Sequence, residues 1–399
     1  MQLDLIRRLS IPGDTKVVLC VMDGLGGLPG PRARTELEEA RTDNLDRLAE
    51  QGVLGQTLPV GYGITPGSGP GHMALFGYDP LSFDIGRGVL EATGIDFALG
   101  PNDLAARGNL CTVDADGRIT DRRAGRVATA VTAQIAERLS AIALPGVELF
   151  VRPVREHRFV LVLRGEGLSS ALTETDPQKE GVPTLPCTAT AQDGEATARR
   201  VNDFIAHARA LLSDRETANA VTLRGWAKRP TLPQMPELWK LRAAAVTVYP
   251  MYRGLARLVG MDALPGGDDI QSEFATVRAH WDDYDFFFVH FKGTDSAGED
   301  GDFRRKSAAI AEFDAALSDL LTLRPNVLVV TGDHSTPATM AAHSWHPVPL
   351  VLWGDHVRTD ESHVFSEVEC SRGGLGTFPA CEVLPIAFAH AGRLAKYGA

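Results

Sequence analysis

Cysteine is scarce: there are five in 399 residues (Cys20, Cys111, Cys187, Cys370 and Cys381), and no two have Cys-x-x-Cys spacing. That excludes a disulfide miniprotein and argues against a thiolate zinc site. An odd count also suits a reducing compartment, so the expected location is cytoplasmic. Long apolar runs are missing too. No stretch of about 18 apolar residues runs without charge, and the segment MQLDLIRRLSIPGD lacks an apolar core of signal-peptide length, so neither membrane spanning nor export is expected. The third absence is a basic surplus, because 40 Lys and Arg stand against 51 Asp and Glu, a formal charge of −11. A general nucleic-acid binder needs the opposite balance to displace phosphate counterions, so nucleic acid is not an expected partner. Internal repeats and low-complexity tracts are absent as well.

What remains is an ordinary globular composition, 44% hydrophobic and 23% charged. At roughly 100–200 residues per domain, the length predicts two domains or one large domain with an insertion. Oligomeric state is not readable from the sequence. Short apolar runs at Lys16–Met22, Phe159–Leu163, Phe286–His290 and Val327–Thr331 read as buried strands. Helical stretches such as Asp43–Gln51, Glu195–Leu212 and Phe303–Leu321 separate them. This alternation predicts an α/β fold with a largely parallel sheet flanked by helices.

Polar residues directly follow apolar strands near both ends of the chain: Asp23 early, then Lys292, Asp295, Asp333 and His334 late. The middle carries arginine-rich turns and a proline-rich stretch from Arg229 to Pro236 instead. The economical reading is one domain built from residues 1–83 and 241–399, with a second α/β domain, 84–240, inserted. Ligands of open α/β sheets sit beyond the carboxyl ends of the strands, which gives these polar residues a natural meeting place.

Asp23 precedes glycine, and alone it reads equally well as a turn residue. In Thr65-Pro-Gly-Ser68-Gly-Pro-Gly-His72, a glycine-rich turn presents one serine just before an expected helix. Its hydroxyl would lie at the positive end of a helix dipole, among N–H groups that favour an anion, which suits a nucleophile that becomes phosphorylated; the alternative is a plain N-cap. Asp295 and Glu299 follow one strand, Asp333 and His334 another, and His343 and His346 come shortly after. Carboxylates mixed with imidazoles suit Mn²⁺, Zn²⁺ or Mg²⁺ rather than a structural thiolate site. Each residue alone could be a cap or a solvated charge, but four such segments together point to a shared metal site. Two metals there would bind phosphate oxygens and lower the serine's pKa.

These segments resemble the cofactor-independent phosphoglycerate mutases, in their shorter archaeal-type branch within the alkaline phosphatase superfamily. The matching pieces are Met22-Asp-Gly-Leu-Gly-Gly, Thr65 to Pro80, Gly86-Arg-Gly-Val-Leu-Glu-Ala-Thr-Gly, Asp121-Arg-Arg-Ala-Gly-Arg126, Phe291-Lys-Gly-Thr-Asp and Thr331-Gly-Asp-His-Ser-Thr-Pro. The resemblance implies interconversion of 3- and 2-phosphoglycerate, a step of glycolysis and gluconeogenesis, with Ser68 carrying the phosphate as phosphoserine. It also implies two divalent ions, Mn²⁺ first, with Mg²⁺, Co²⁺ or Zn²⁺ as alternatives. One would be held by Asp23, Ser68, Asp333 and His334, the other by Asp295, Glu299 and His343. Glu299 stands where the family usually has histidine; glutamate still suits Mn²⁺ or Mg²⁺, and His346 is an alternative imidazole. By the same resemblance, Asp121 and Arg122 would face the glycerate, with Arg126, Arg224, His72 and Lys292 as further substrate-binding candidates. The alternative activity is that of a metal-dependent phosphatase or phosphomutase of the same superfamily acting on another small phosphorylated metabolite.

Overall fold

A computed structural model describes residues 3–83 and 85–398, with the backbone alone at Pro31. The chain divides into two compact units, Met1–Asp84 with Leu232–Ala399, and Ile85–Thr231. Residues 232–240, which the sequence reading assigns to the insertion, belong to the first unit. There the helix Met235–Trp239 buries Trp239, whose ring packs on Phe388 at 4.6 Å between centroids.

The first unit is built on an eight-stranded sheet. Its strands are β1 (Val17–Met22), β2 (Val53–Leu58), β8 (Ala243–Val246), β9 (Asp262–Leu264), β10 (Phe286–Phe291), β11 (Val327–Thr331), β12 (Val348–Gly354) and β13 (Gly376–Pro379), in the order β13-β2-β12-β11-β1-β10-β8-β9. Only β12 runs antiparallel to its neighbours, so the expected largely parallel sheet is present. Every residue of β1 and β11 is buried, because a central parallel strand is covered on both faces. One face packs against the helices Asp43–Gln51, Ile270–Ala279 and Phe303–Leu321 through Leu45, Leu48, Phe274, Phe313 and Leu317. Parallel register sets Met22 beside Phe291, and Val21 beside both His290 and Thr331, so β1, β10 and β11 end at nearly the same level. Asp23, Lys292 and Asp333 therefore leave the sheet side by side.

The second unit contains β3 (Asp103–Val113), β4 (Ile119–Asp121), β5 (Glu148–Arg155), β6 (Arg158–Arg164) and β7 (Ala220–Lys228), all paired antiparallel. The run Phe159–Leu163 thus lies in an antiparallel sheet, not the parallel one its apolar character suggests. Only Glu156 and His157 separate β5 from β6, and a connection that short can join only antiparallel strands. Leu104, Ala106, Phe159 and Leu161 line one face and pack with Val201 and Phe204 of the helix Glu195–Leu211. Among the described residues, no helix is long and apolar enough to cross a membrane.

Candidate metal centre and adjoining serine

Asp23, Asp333 and His334 gather beyond the carboxyl ends of β1 and β11, all fully buried. His334 Nε2 lies 3.3 Å from Asp23 Oδ1 and 3.3 Å from Asp333 Oδ2, and both of those buried oxygens receive no hydrogen bond. Their partner atoms are already engaged, since Asp333 Oδ1 accepts the Gly24 N–H at 3.0 Å and Asp23 Oδ2 accepts three donors. A second group joins Asp295, His334 and His343, with His343 Nε2 3.5 Å from Asp295 Oδ1 and the two imidazole rings stacked at 3.7 Å. His334 therefore belongs to both groups. Glu299 stands at the rim, its side chain 57% exposed and its Oε1 3.7 Å from His343 Nε2. His346 turns away to Ser344 Oγ, at 3.0 Å, and to the Trp345 ring.

Two glycines allow this crowding. Gly24 follows Asp23 at φ +67°, where a Cβ would fall 2.5 Å from Thr336 Oγ1 and 2.8 Å from Asp295 Oδ1. At Gly71 a Cβ would meet the Asp333 carbonyl at 2.3 Å, so only glycine lets the helix Ser68–Leu75 approach β11 this closely.

Ser68 is the first residue of that helix; Gly67 is its N-cap, and the serine hydroxyl makes no cap bond. Instead, Ser68 Oγ lies 3.2 Å from His334 Nε2. Thr336 fixes the tautomer needed for that contact. Its hydroxyl donates to Asp295 Oδ1 at 2.7 Å and accepts from His334 Nδ1 at 3.0 Å, leaving the Nε2 lone pair directed at Ser68 and the carboxylates. Burial pulls the His334 pKa below its ordinary value, against the opposing pull of Asp333 and Asp23, and so favours the neutral ring that a metal ligand requires.

His72 is wholly buried behind Ser68. Its Nδ1 donates to the Ser68 carbonyl at 2.8 Å and stands 3.1 Å from Asp333 Oδ2, while Nε2 has no hydrogen-bond partner. Burial works against its cation, but Asp333 and Asp23 outweigh that and raise the His72 pKa. Lys292 Nζ reaches Asp23 Oδ2 at 3.0 Å and Asp295 Oδ2 at 2.5 Å. Burial alone would push the Asp23 carboxyl up; Lys292, His290 and His334 hold it well below the ordinary range.

Of the remaining sequence candidates, all in the second unit, Arg122 makes a forked pair with Asp176 at 2.9 and 3.3 Å. Arg224 lies 3.2 Å from Glu174 and 3.7 Å from Asp176. Asp121 accepts the Arg123 and Gly125 amides at 2.7 and 2.5 Å, shaping the loop on which Arg126 is exposed at φ 51°. Sequence reasoning missed Arg107 and Arg158. Arg107, paired in register with Arg224 and 3.6 Å from Glu91, is lowered to about 10 by burial, despite the opposing pull of Glu91. His157 is lowered to about 4, first by burial and then by Arg158 and Arg107, which marks a strongly positive locality. Tyr252, His290 and Thr336 were also missed as site residues; the last two lie inside or beside the motifs quoted, but Tyr252 is remote from any of them.

Fold and site together define a class: an α/β protein with a carboxylate–imidazole centre, of a kind that divalent cations occupy, beside a serine at a helix start. Residues 49–218 match the family model described as 2,3-bisphosphoglycerate-independent phosphoglycerate mutase. The chain is 49% identical over 397 residues to a Thermosipho melanesiensis protein, covering 99% of this chain and 98% of that one. It is 47% identical over 401 residues, with the same coverage, to a protein of Thermus thermophilus. Both are named "Probable 2,3-bisphosphoglycerate-independent phosphoglycerate mutase". Among solved structures, a cofactor-independent phosphoglycerate mutase from Thermoplasma acidophilum is similar with a TM-score of 0.71 at 31% identity, covering 95% of this chain and all of that one. A Pyrococcus horikoshii protein gives a TM-score of 0.84 at 29% identity, covering 97% of this chain and 100% of the other. The chain belongs to the 2,3-bisphosphoglycerate-independent phosphoglycerate mutase family, a family of isomerases.

Proposed function

We propose that the protein interconverts 3-phosphoglycerate and 2-phosphoglycerate through a phosphoserine at Ser68, with two divalent cations. The observation that carries this reading is the approach of Ser68 Oγ to within 3.2 Å of His334 Nε2, beside the bare buried oxygens Asp23 Oδ1 and Asp333 Oδ2. Two buried carboxylate oxygens without donors are costly unless a cation compensates them, so the residues present fit a metal. Asp23, Asp333 and His334 with Ser68 would hold one ion, and Asp295, His343 and Glu299 the other, with His334 at their junction. Bound there, Mn²⁺, or Mg²⁺, Co²⁺ or Zn²⁺, would supply positive charge to phosphate oxygens and to the serine oxygen.

The chain's own groups account for the rest. Ser68 gives up its proton and forms the Oγ–P bond as the ester bond to one glycerate oxygen breaks, and that oxygen takes up a proton. Transfer back to the other hydroxyl reverses each change, so the cycle has no net water or proton. Lys292 places a cation against the Asp23 and Asp295 carboxylates, and His72 holds the Ser68 carbonyl. Arg122 and Arg224, with Asp121 and Arg126, are proposed to recognise the glycerate, because guanidinium forks match carboxylate oxygens in pairs. The cytoplasm is the proposed location.

A coupled assay on 3-phosphoglycerate without 2,3-bisphosphoglycerate, after metal removal and readdition of each ion, tests this. Isomerisation restored by metal with little free phosphate is expected. Phosphate release without isomerisation would move the assignment to a phosphatase, and undiminished activity of Ser68→Ala would remove the phosphoserine.

A further inference from the structure

The three donors on Asp23 arrive from different elements. Lys292 follows β10, His290 Nε2 donates from β10 at 2.9 Å, and the Tyr252 hydroxyl donates from the helix Pro250–Leu258. All three converge on Oδ2, while Oδ1 of the same carboxylate is buried and receives none. Tyr252 and His290 are 1% and 2% exposed, and their rings stack at 3.7 Å, so each fixes the other. His290 is itself held, with its Nδ1 3.5 Å from the Thr247 hydroxyl, which leaves Nε2 to face Asp23. The Thr294 hydroxyl bonds the Asp23 carbonyl at 2.5 Å, restraining the backbone as well.

We infer that Tyr252 and His290 are positioning residues for the metal centre: with Lys292 they saturate Asp23 Oδ2, so the carboxylate can meet a cation only through Oδ1, on the side of His334 and Ser68. This rests on the metal reading given above. Groups behind a ligand typically contribute 10–100-fold in metal affinity by fixing its orientation. Tyr252 is the better probe, since Tyr252→Phe removes one oxygen and keeps the stacked ring.

The test is calorimetric titration of metal-stripped protein with Mn²⁺, with circular dichroism and urea unfolding on the same samples. Tyr252→Phe should fold as wild type does and bind Mn²⁺ about 10-fold or more weakly. His290→Gln, whose amide nitrogen takes the place of Nε2, should lose less affinity than His290→Ala. A folded Tyr252→Phe with wild-type Mn²⁺ affinity would overturn the inference, even if its unfolding midpoint fell, because that pattern marks a purely structural tyrosine. Wild-type protein that takes up none of Mn²⁺, Mg²⁺, Co²⁺ or Zn²⁺ would overturn the metal reading itself, and the inference with it.

Discussion

Lys306 is a lysine with no exposed surface, on the helix Phe303–Leu321, and its replacement by methionine gives a sharp test of how the candidate centre is held. Its ammonium donates to the Gly26 carbonyl at 3.0 Å and the Thr336 carbonyl at 2.7 Å. It thereby ties the loop after β1 to the loop after β11. Two acids, the buried Glu36 and the half-buried Glu367, share this region. Glu36 accepts the Ala338 amide at 2.6 Å, and Glu367 accepts the Gly27 amide at 2.9 Å and the Thr35 hydroxyl at 2.7 Å. Burial lowers the Lys306 pKa, and Glu36, Glu367 and Asp295 oppose that shift. Methionine has similar length and removes the cost of burying an ammonium, but it strands the acids and deletes two charged hydrogen bonds. Each such bond contributes about 1.5–3 kcal/mol, and removing one member of a buried charge cluster typically costs about 3–5 kcal/mol. Lys306→Met should therefore destabilise the first unit by roughly 3–5 kcal/mol. The assay is urea unfolding followed by tryptophan fluorescence; of the five tryptophans, only Trp226 lies in the second unit. Adding Glu36→Gln and Glu367→Gln to the same variant should restore about half of the loss or more, since no charge is then left uncompensated. A single variant within about 1 kcal/mol of wild type would refute the claim that this ammonium organises the two loops.

Glu273 is nearly fully buried with Oε2 unpaired, and burial raises its carboxyl well above the ordinary 4.5. The folded state thus keeps a proton that the unfolded chain loses near that pH, so stability falls as pH rises from there. Glu273→Gln should remove this dependence, matching wild type at pH 4 and exceeding it at pH 8 by up to about 1.4 kcal/mol per pH unit of retained protonation, as measured by urea midpoints across that range. Glu299→His should leave stability within about 0.5 kcal/mol, because the side chain is largely exposed, yet shift metal activation from Mn²⁺ toward Zn²⁺ or Co²⁺. An unchanged activation series would put Glu299 outside the ligand set. Arg224→Ala should raise KM for phosphoglycerate by roughly 10–100-fold with a smaller change in kcat, if the guanidinium contributes a charged hydrogen bond to substrate; an unchanged KM in steady-state kinetics would leave it a partner of Glu174 and Asp176 alone.

The parts legible in the sequence were those set by local pattern. The strands β1, β10 and β11 showed as apolar runs because a central parallel strand is buried on both sides, and each ends at the polar residue that leaves the sheet. The helix Phe303–Leu321 carried its period plainly over 19 residues. What stayed hidden depends on pairing between distant segments. Nothing near Phe159 says that β6 joins an antiparallel sheet, since that is decided by the two-residue connection to β5. Likewise, Met235–Trp239 looks like part of the insertion until Trp239 meets Phe388, about 150 residues away.

The same limit separates the candidate reactive groups from the groups that hold them in place. Asp23, Ser68, Asp333 and His334 announce themselves because chemistry demands their types at strand and helix ends, where the backbone delivers them whatever surrounds the site. Tyr252, Thr336 and Lys306 carry no such demand, since a tyrosine, threonine or lysine inside a helix or loop has an ordinary structural use nearly everywhere. Their role exists only in three dimensions: Thr336 Oγ1 lies between Asp295 and His334, Lys306 fixes the Thr336 carbonyl, and Tyr252 occupies the far oxygen of Asp23. One chain of contacts thus runs from a buried ammonium through a threonine to two candidate ligands. Loosening the lysine should be felt at His334 without any change in the ligands themselves.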